Sequence, residues 1–140
     1  MKTHSNVLAV TPENCDTAHQ YFAKKLSVET DCSDVYTDIC DGNNDFILLD
    51  VRSVEAFEKS HAITALNMPH ATINEQNFDQ FEKTDVFIVY CWGPGCNGAT
   101  KAASKISALG FAVKEMIGGI HYWEDFERYP VVRREKEPLV

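Results

Sequence analysis

Long hydrophobic runs are missing from this chain of 140 residues. No window approaches the roughly eighteen continuous apolar residues that a membrane-spanning helix needs. The front end leads only into the short run Val7–Val10, with neither a signal-peptide core nor an Arg-rich transit pattern, so the expected address is cytoplasmic. Positive charge is also scarce. Thirteen Lys and Arg face twenty-one Asp and Glu, a formal charge of -8, which argues against binding to nucleic acid or to an anionic membrane surface. Seven glycines and five prolines are too few for a collagen-like or low-complexity chain. The five cysteines are odd in number and too sparse for a disulfide scaffold, so at least one thiol stays unpaired within the chain. What remains is 44% hydrophobic and 24% charged, the composition of one ordinary globular domain with a single core.

Periodicity places the elements. Thr11-Pro12-Glu13 reads as a cap, a first-turn proline and an acidic first turn, opening an amphipathic helix over 12–26 with Ala18, Phe22 and Leu26 on its apolar side. Leu26–Thr30 fits an edge strand and Cys32–Cys40 a short helix ended by the Asp41-Gly42-Asn43-Asn44 turn. Phe46–Leu49 and Val86–Tyr90 are continuous apolar runs, the pattern of strands covered on both faces. Ser53 caps a short helix through Lys59. Ala99, Ala102, Ala103, Ile106 and Leu109 mark one face of a helix that Gly110 ends. Phe111–Ile117 is a further strand, Ile120–Arg128 a short aromatic-rich helix, and Arg133–Glu137 a frayed tail. Strands alternating with helices imply an α/β fold: a parallel sheet with helices on both faces, hence three layers, α/β/α. In such sheets ligands bind beyond the carboxyl ends of the strands.

The loop Cys91-Trp92-Gly93-Pro94-Gly95-Cys96-Asn97-Gly98 lies at that edge. Its three glycines let the backbone turn sharply and aim successive N–H groups into one concavity that suits an anion. The following helix adds the positive end of its dipole, which should lower the pKa of a cysteine placed there. Cys91 is therefore the candidate nucleophile, against the plainer reading of a buried cysteine that ends a strand. A Walker phosphate loop is excluded because Gly-Lys-Ser/Thr is absent. A structural zinc site is disfavoured because Cys91 and Cys96 supply only two ligands at an unusual spacing. No metal or other cofactor is expected.

Four segments resemble the rhodanese family of sulfurtransferases. They are Asp50-Val51-Arg52-Ser53-Val54-Glu55-Ala56-Phe57, His61-Ala62-Ile63-Thr64-Ala65-Leu66-Asn67-Met68-Pro69, the strand ending Val89-Tyr90-Cys91, and Gly118-Gly119-Ile120-His121-Tyr122-Trp123. The resemblance implies a rhodanese-like domain over 28–130 with a central five-stranded parallel sheet, an N-terminal helical extension over 1–27 and a charged tail over 131–140. It also implies a function: Cys91 takes sulfane sulfur from a small anionic donor, thiosulfate or a persulfide. The sulfur then passes to a thiol, cyanide or a protein acceptor, and Trp92, Gly93, Pro94, Gly95, Cys96, Asn97 and Gly98 form the binding loop. Asp50 and Arg52 are expected to pair in support of the site.

The loop departs from the family pattern where an arginine is usual, because Cys96 stands there. Thiosulfate loses its side-chain cation, and the phosphatases sharing this fold are disfavoured for the same reason. Lys101 is either a substitute cation or a solvated surface lysine. Cys96 is either a tolerated small residue, a thiol that resolves a Cys91 persulfide to a disulfide, or, in another register, the nucleophile itself. The rival to an enzyme is a rhodanese-like binding or redox-sensing module that uses Cys91 and Cys96. His61 and His121 read as framework residues, Trp123 and Phe126 as packing anchors, and Trp92 as an exposed residue at the pocket entrance. Cys15, Cys32 and Cys40 read as packing or surface thiols.

Overall fold

A computed structural model describes residues 3–134. In chain order they form α1 (Cys15–Val28), β1 (Glu29–Asp31), α2 (Cys32–Cys40), β2 (Ile47–Asp50), α3 (Val54–Lys59), β3 (Ser60–Ala62) and β4 (Leu66–Asn67). There follow α4 (Glu75–Phe78), β5 (Val86–Tyr90), α5 (Gly98–Ala108), β6 (Ala112–Ile117), a π-helical segment His121–Phe126 and β7 (Val131–Arg133). Five strands make one sheet in the order β1-β6-β5-β2-β4, and every pairing in it is parallel. The apolar runs occupy its centre because parallel strands covered on both faces leave no position for a solvated side chain.

Alternation along β5 divides the core. Phe87 and Val89, with Cys91 next in phase, pack on one face with Leu49, Val51, Phe78 and the α5 residues Ala102 and Ile106. Ile88 and Tyr90 pack on the other with Leu48, Val35 of α2 and Trp123. The Tyr90 hydroxyl accepts the buried Ala62 N–H at 3.0 Å, so the ring fills its layer without leaving a polar group unmet. Helices cover both faces, and the three-layer α/β/α arrangement read from the sequence is the fold.

Local capping follows the sequence at Ser53, which accepts the Ala56 N–H, and at Gly110, whose φ of +94° ends α5 in the left-handed conformation that glycine adopts without strain. It differs at the front. The α1 cap is Asn14, whose side chain accepts the Thr17 N–H, because a carboxamide one turn before Thr17 reaches a donor that Thr11 cannot. No residue of α1 is buried, so the apolar side expected for that helix faces outward through Tyr21, Phe22 and Leu26. The tail differs as well. Val131–Arg133 pair antiparallel with β3 and Arg134 N–H donates to the Glu58 carbonyl, which orders the segment read as frayed as far as Arg134. The rest of that tail, 135–140, lies outside the described residues.

Phe126, expected as an anchor, is 69% exposed, whereas Trp123 is fully buried; the π-helical winding turns only one of the two toward the sheet. Among the described residues no helix is long and apolar enough to cross a membrane.

Candidate active site

The carboxyl ends of β1, β5 and β6 converge on one edge of the sheet, above a cleft of about 630 Å³. The chain beyond β6 grips the cysteine loop from behind. The Ile120 N–H donates to the Cys91 carbonyl at 3.0 Å, and the His121 N–H to the Trp92 carbonyl at 2.9 Å. This approach is close enough that a Cβ on Gly119, which sits at φ +61°, would lie 2.5 Å from the Cys91 carbonyl oxygen. Only glycine satisfies both the backbone angle and the contact. The paired glycine after a strand was the visible signal for this support, although periodicity alone assigned it no role in the site.

Within the loop, the Cys96 N–H donates to the Gly93 carbonyl at 3.0 Å and folds Cys96 back toward Cys91. The two sulfurs lie 2.8 Å apart, against about 2.05 Å for a disulfide. Gly98 makes the approach possible, since a Cβ there would meet the Cys91 sulfur at 2.7 Å and the Cys96 sulfur at 3.5 Å. Gly98 opens α5, and its N–H donates to the Cys96 sulfur at 3.4 Å.

The charge on this sulfur pair is not where helix-dipole reasoning alone placed it. Burial and the neighbouring Cys96 push the Cys91 thiol up from its ordinary 9.0 to about 12. Burial acts to raise Cys96 too, but the Cys91 hydrogen bond, the N–H groups of Gly98 and Trp92 and the charge of Lys101 outweigh it and lower Cys96 below the usual thiol range. The expected fall in the pKa of Cys91 is therefore corrected. Cys96, half-buried and one residue before the α5 cap, receives the helix N–H, whereas Cys91 is buried at the strand end. At neutral pH the pair holds its thiolate on Cys96 and its proton on Cys91, so Cys91 donates across the 2.8 Å contact.

Asp50 and Arg52 pair at 2.7 Å with both side chains buried. The guanidinium also donates to the Ser60 carbonyl and lies 4.6 Å from the centre of the Trp92 ring. The pair thus ties the end of β2 to the first residue of the loop, a positioning contact and not one with the sulfurs. Trp92 is 54% exposed, as expected of a loop-tip residue, but it rests on Arg52 outside the cleft. Of the residues expected to bind substrate, Gly93, Pro94 and Cys96 line the cleft with Cys91. Trp92, Gly95, Asn97 and Gly98 do not border it; Gly98 supports the sulfurs from below, and Asn97 caps α5 without a side-chain hydrogen bond.

The remaining wall was not foreseen. Cys32, read as a packing or surface thiol, is buried and borders the cleft, along with Glu29, Asp31, Glu115 and Glu127; Lys25 is the one basic residue on this wall. These acids come from the short β1, the end of β6 and the segment after the π-helix, and no local motif in the chain groups them. Among the described residues no group of three or more His, Cys, Asp or Glu could hold a metal ion.

A cysteine at the carboxyl end of the central strand of a parallel sheet, on a loop that enters a helix, defines a thiol-dependent α/β domain. Comparison with known proteins specifies the class. The model of the rhodanese-like domain matches residues 32–126, and the chain belongs to that family, within the sulfurtransferase superfamily.

A crystal structure of a Bacillus halodurans protein shares 47% identity with a TM-score of 0.83, over 86% of this chain and 88% of that one. A rhodanese-related protein from Thermoplasma volcanium shares 26% identity with a TM-score of 0.64, over 77% and 99%. A probable molybdopterin-synthase adenylyltransferase of Pyropia yezoensis is 32% identical over 85 residues, which are 59% of this chain and 22% of that protein. The chain thus spans about a fifth of that curated relative's length.

Proposed function

We propose that the protein transfers sulfane sulfur through a persulfide on Cys91, with low-molecular-weight persulfides as donors in preference to thiosulfate. The observation that carries this reading is the thiol pair at 2.8 Å in the mouth of the cleft. Proton transfer from Cys91 to the Cys96 thiolate frees Cys91 as the nucleophile without solvent having to reach a buried thiol, so Cys96 acts as its base. The Cys91 thiolate attacks the outer sulfur of the donor R–S–SH, the donor's S–S bond breaks, and RS⁻ leaves with the electron pair. An acceptor thiolate then takes the outer sulfur from Cys91 and restores the thiolate.

The cleft supports the choice of donor. Four carboxylates and a single lysine line its far wall, which repels a dianion and tolerates a neutral or zwitterionic persulfide. Cytoplasmic residence and a thiol, cyanide or protein acceptor belong to the same proposal.

The test is a sulfur-transfer assay with cysteine persulfide and thiosulfate side by side. Cys91→Ser should abolish transfer, and kcat/KM for thiosulfate should be at least about tenfold below that for the persulfide. Efficient thiosulfate turnover would refute the donor assignment. The close thiols also favour a second reading, a redox-sensing module. Reversible oxidation of the pair with no transfer to any acceptor would select it over the enzyme.

A further inference from the structure

We propose that Cys96 makes the protein a sulfane-sulfur reductase: the Cys96 sulfur displaces the outer sulfur of the Cys91 persulfide as sulfide and leaves a Cys91–Cys96 disulfide. The proposal rests on the Cys91 persulfide of the preceding reading and goes beyond it by naming a second, internal fate for the sulfur.

The geometry is set before any donor arrives. Cys96 is held by its own N–H on the Gly93 carbonyl and by the Gly98 N–H on its sulfur, so its approach to Cys91 does not depend on a mobile side chain. Around the Cys91 sulfur one side is taken by Cys96 at 2.8 Å. Another is closed by Gly98, where even a methyl group would come within 2.7 Å. A sulfur added to Cys91 is left the sector that faces the cleft, away from Cys96. Displacement at sulfur runs in line, with the attacking sulfur opposite the leaving one, and this arrangement supplies that alignment.

The step balances within the site. A bond forms between the Cys96 and Cys91 sulfurs, and the bond from the Cys91 sulfur to the outer sulfur breaks. The outer sulfur leaves with the electron pair as HS⁻. The two cysteine thiols give up two electrons and the sulfane sulfur accepts both, so no outside oxidant is required. A dithiol reopens the disulfide by exchange, closing its own. Because the attack is intramolecular, it competes well against an external monothiol acceptor.

The experiment is an anaerobic single turnover of the full chain with one equivalent of cysteine persulfide and no dithiol, read by sulfide release and by mass spectrometry under non-reducing conditions. The wild-type protein should release one sulfide per chain, lose the mass of two hydrogens and yield a linked Cys91–Cys96 peptide. Cys96→Ser should gain one sulfur on Cys91 and hold it at least about ten times longer; Cys96→Ala serves if the serine variant does not fold.

A wild-type protein that keeps the added sulfur on Cys91 while Cys96 remains alkylatable overturns the inference. So does a Cys91→Ser protein that accumulates sulfur on Cys96 as fast as Cys96→Ser does on Cys91, because the roles are then reversed. If neither wild type nor the Cys96 variants gain sulfur or a disulfide, the underlying Cys91 persulfide reading fails instead.

Discussion

Replacing Gly119 by alanine separates two costs that the structure imposes at one position. The first is conformational: at φ +61° an L-residue pays about 1–2 kcal/mol. The second is steric. The new methyl would stand 2.5 Å from the Cys91 carbonyl oxygen, 2.8 Å from the Trp92 carbonyl carbon and 2.9 Å from the Gly93 nitrogen. All three atoms are backbone, so no rotamer change relieves the contact, and overpacking of this kind costs about 1–3 kcal/mol. The sum is a loss of about 2–5 kcal/mol in urea unfolding.

Two controls isolate the parts. Gly42→Ala, at φ +74° in open space, should cost only the conformational share, about 1–2 kcal/mol. Gly95→Ala, with nothing near it and no positive φ, should stay within about 0.5 kcal/mol of wild type. Gly119→Ala should also push the cysteine loop outward and make Cys91 react faster with a neutral alkylating agent, which Gly42→Ala should not. If Gly119→Ala is no worse than Gly42→Ala and leaves Cys91 protected, the grip of the glycine turn on the loop is refuted.

Asp50→Ala leaves the buried Arg52 charge without its 2.7 Å partner and should cost about 3–5 kcal/mol in the same assay; a loss below about 1 kcal/mol would place the pair among surface bridges. Burial pushes the Cys32 thiol up from 9.0 to about 12. Its contribution to stability is complete below pH 9 and declines as pH rises toward 12, so Cys32→Ala should flatten unfolding free energy against pH across that window. Equal slopes for the two proteins would contradict the assignment. Reversing charge on the cleft wall with Glu29→Lys and Glu127→Lys together should lower KM for thiosulfate while leaving KM for cysteine persulfide nearly unchanged; equal effects on both donors would show that the wall does not discriminate by charge.

The parts of the fold legible in the sequence are those where one signal dominates. β5 was read to the residue because five consecutive apolar residues end at a cysteine and glycine turn, and α2 because a capping region and an Asp-Gly turn bracket it. The short β3, β4 and β7 carry two or three residues each, too few for any period to register, and their pairing comes from tertiary contact. In the site, Cys91 and the glycine loop were visible because they are contiguous. The reversal of thiolate character between Cys91 and Cys96 was not, since it depends on which sulfur meets the Gly98 N–H and which is buried. The acidic wall escaped for a related reason: Glu29, Glu115 and Glu127 are neighbours only after the sheet has formed.

The alternation along β5 carries a rule for how this protein can change. Because Phe87, Val89 and Cys91 share one face while Ile88 and Tyr90 share the other, a single residue gained or lost inside the strand would send the sulfur to the Trp123 side, away from Cys96 and α5. The loop from Trp92 to Asn97 is under no such parity and can lengthen or shorten by any number. Diversity among sulfur-handling domains of this build should therefore collect in the loop, with strand changes arriving in twos.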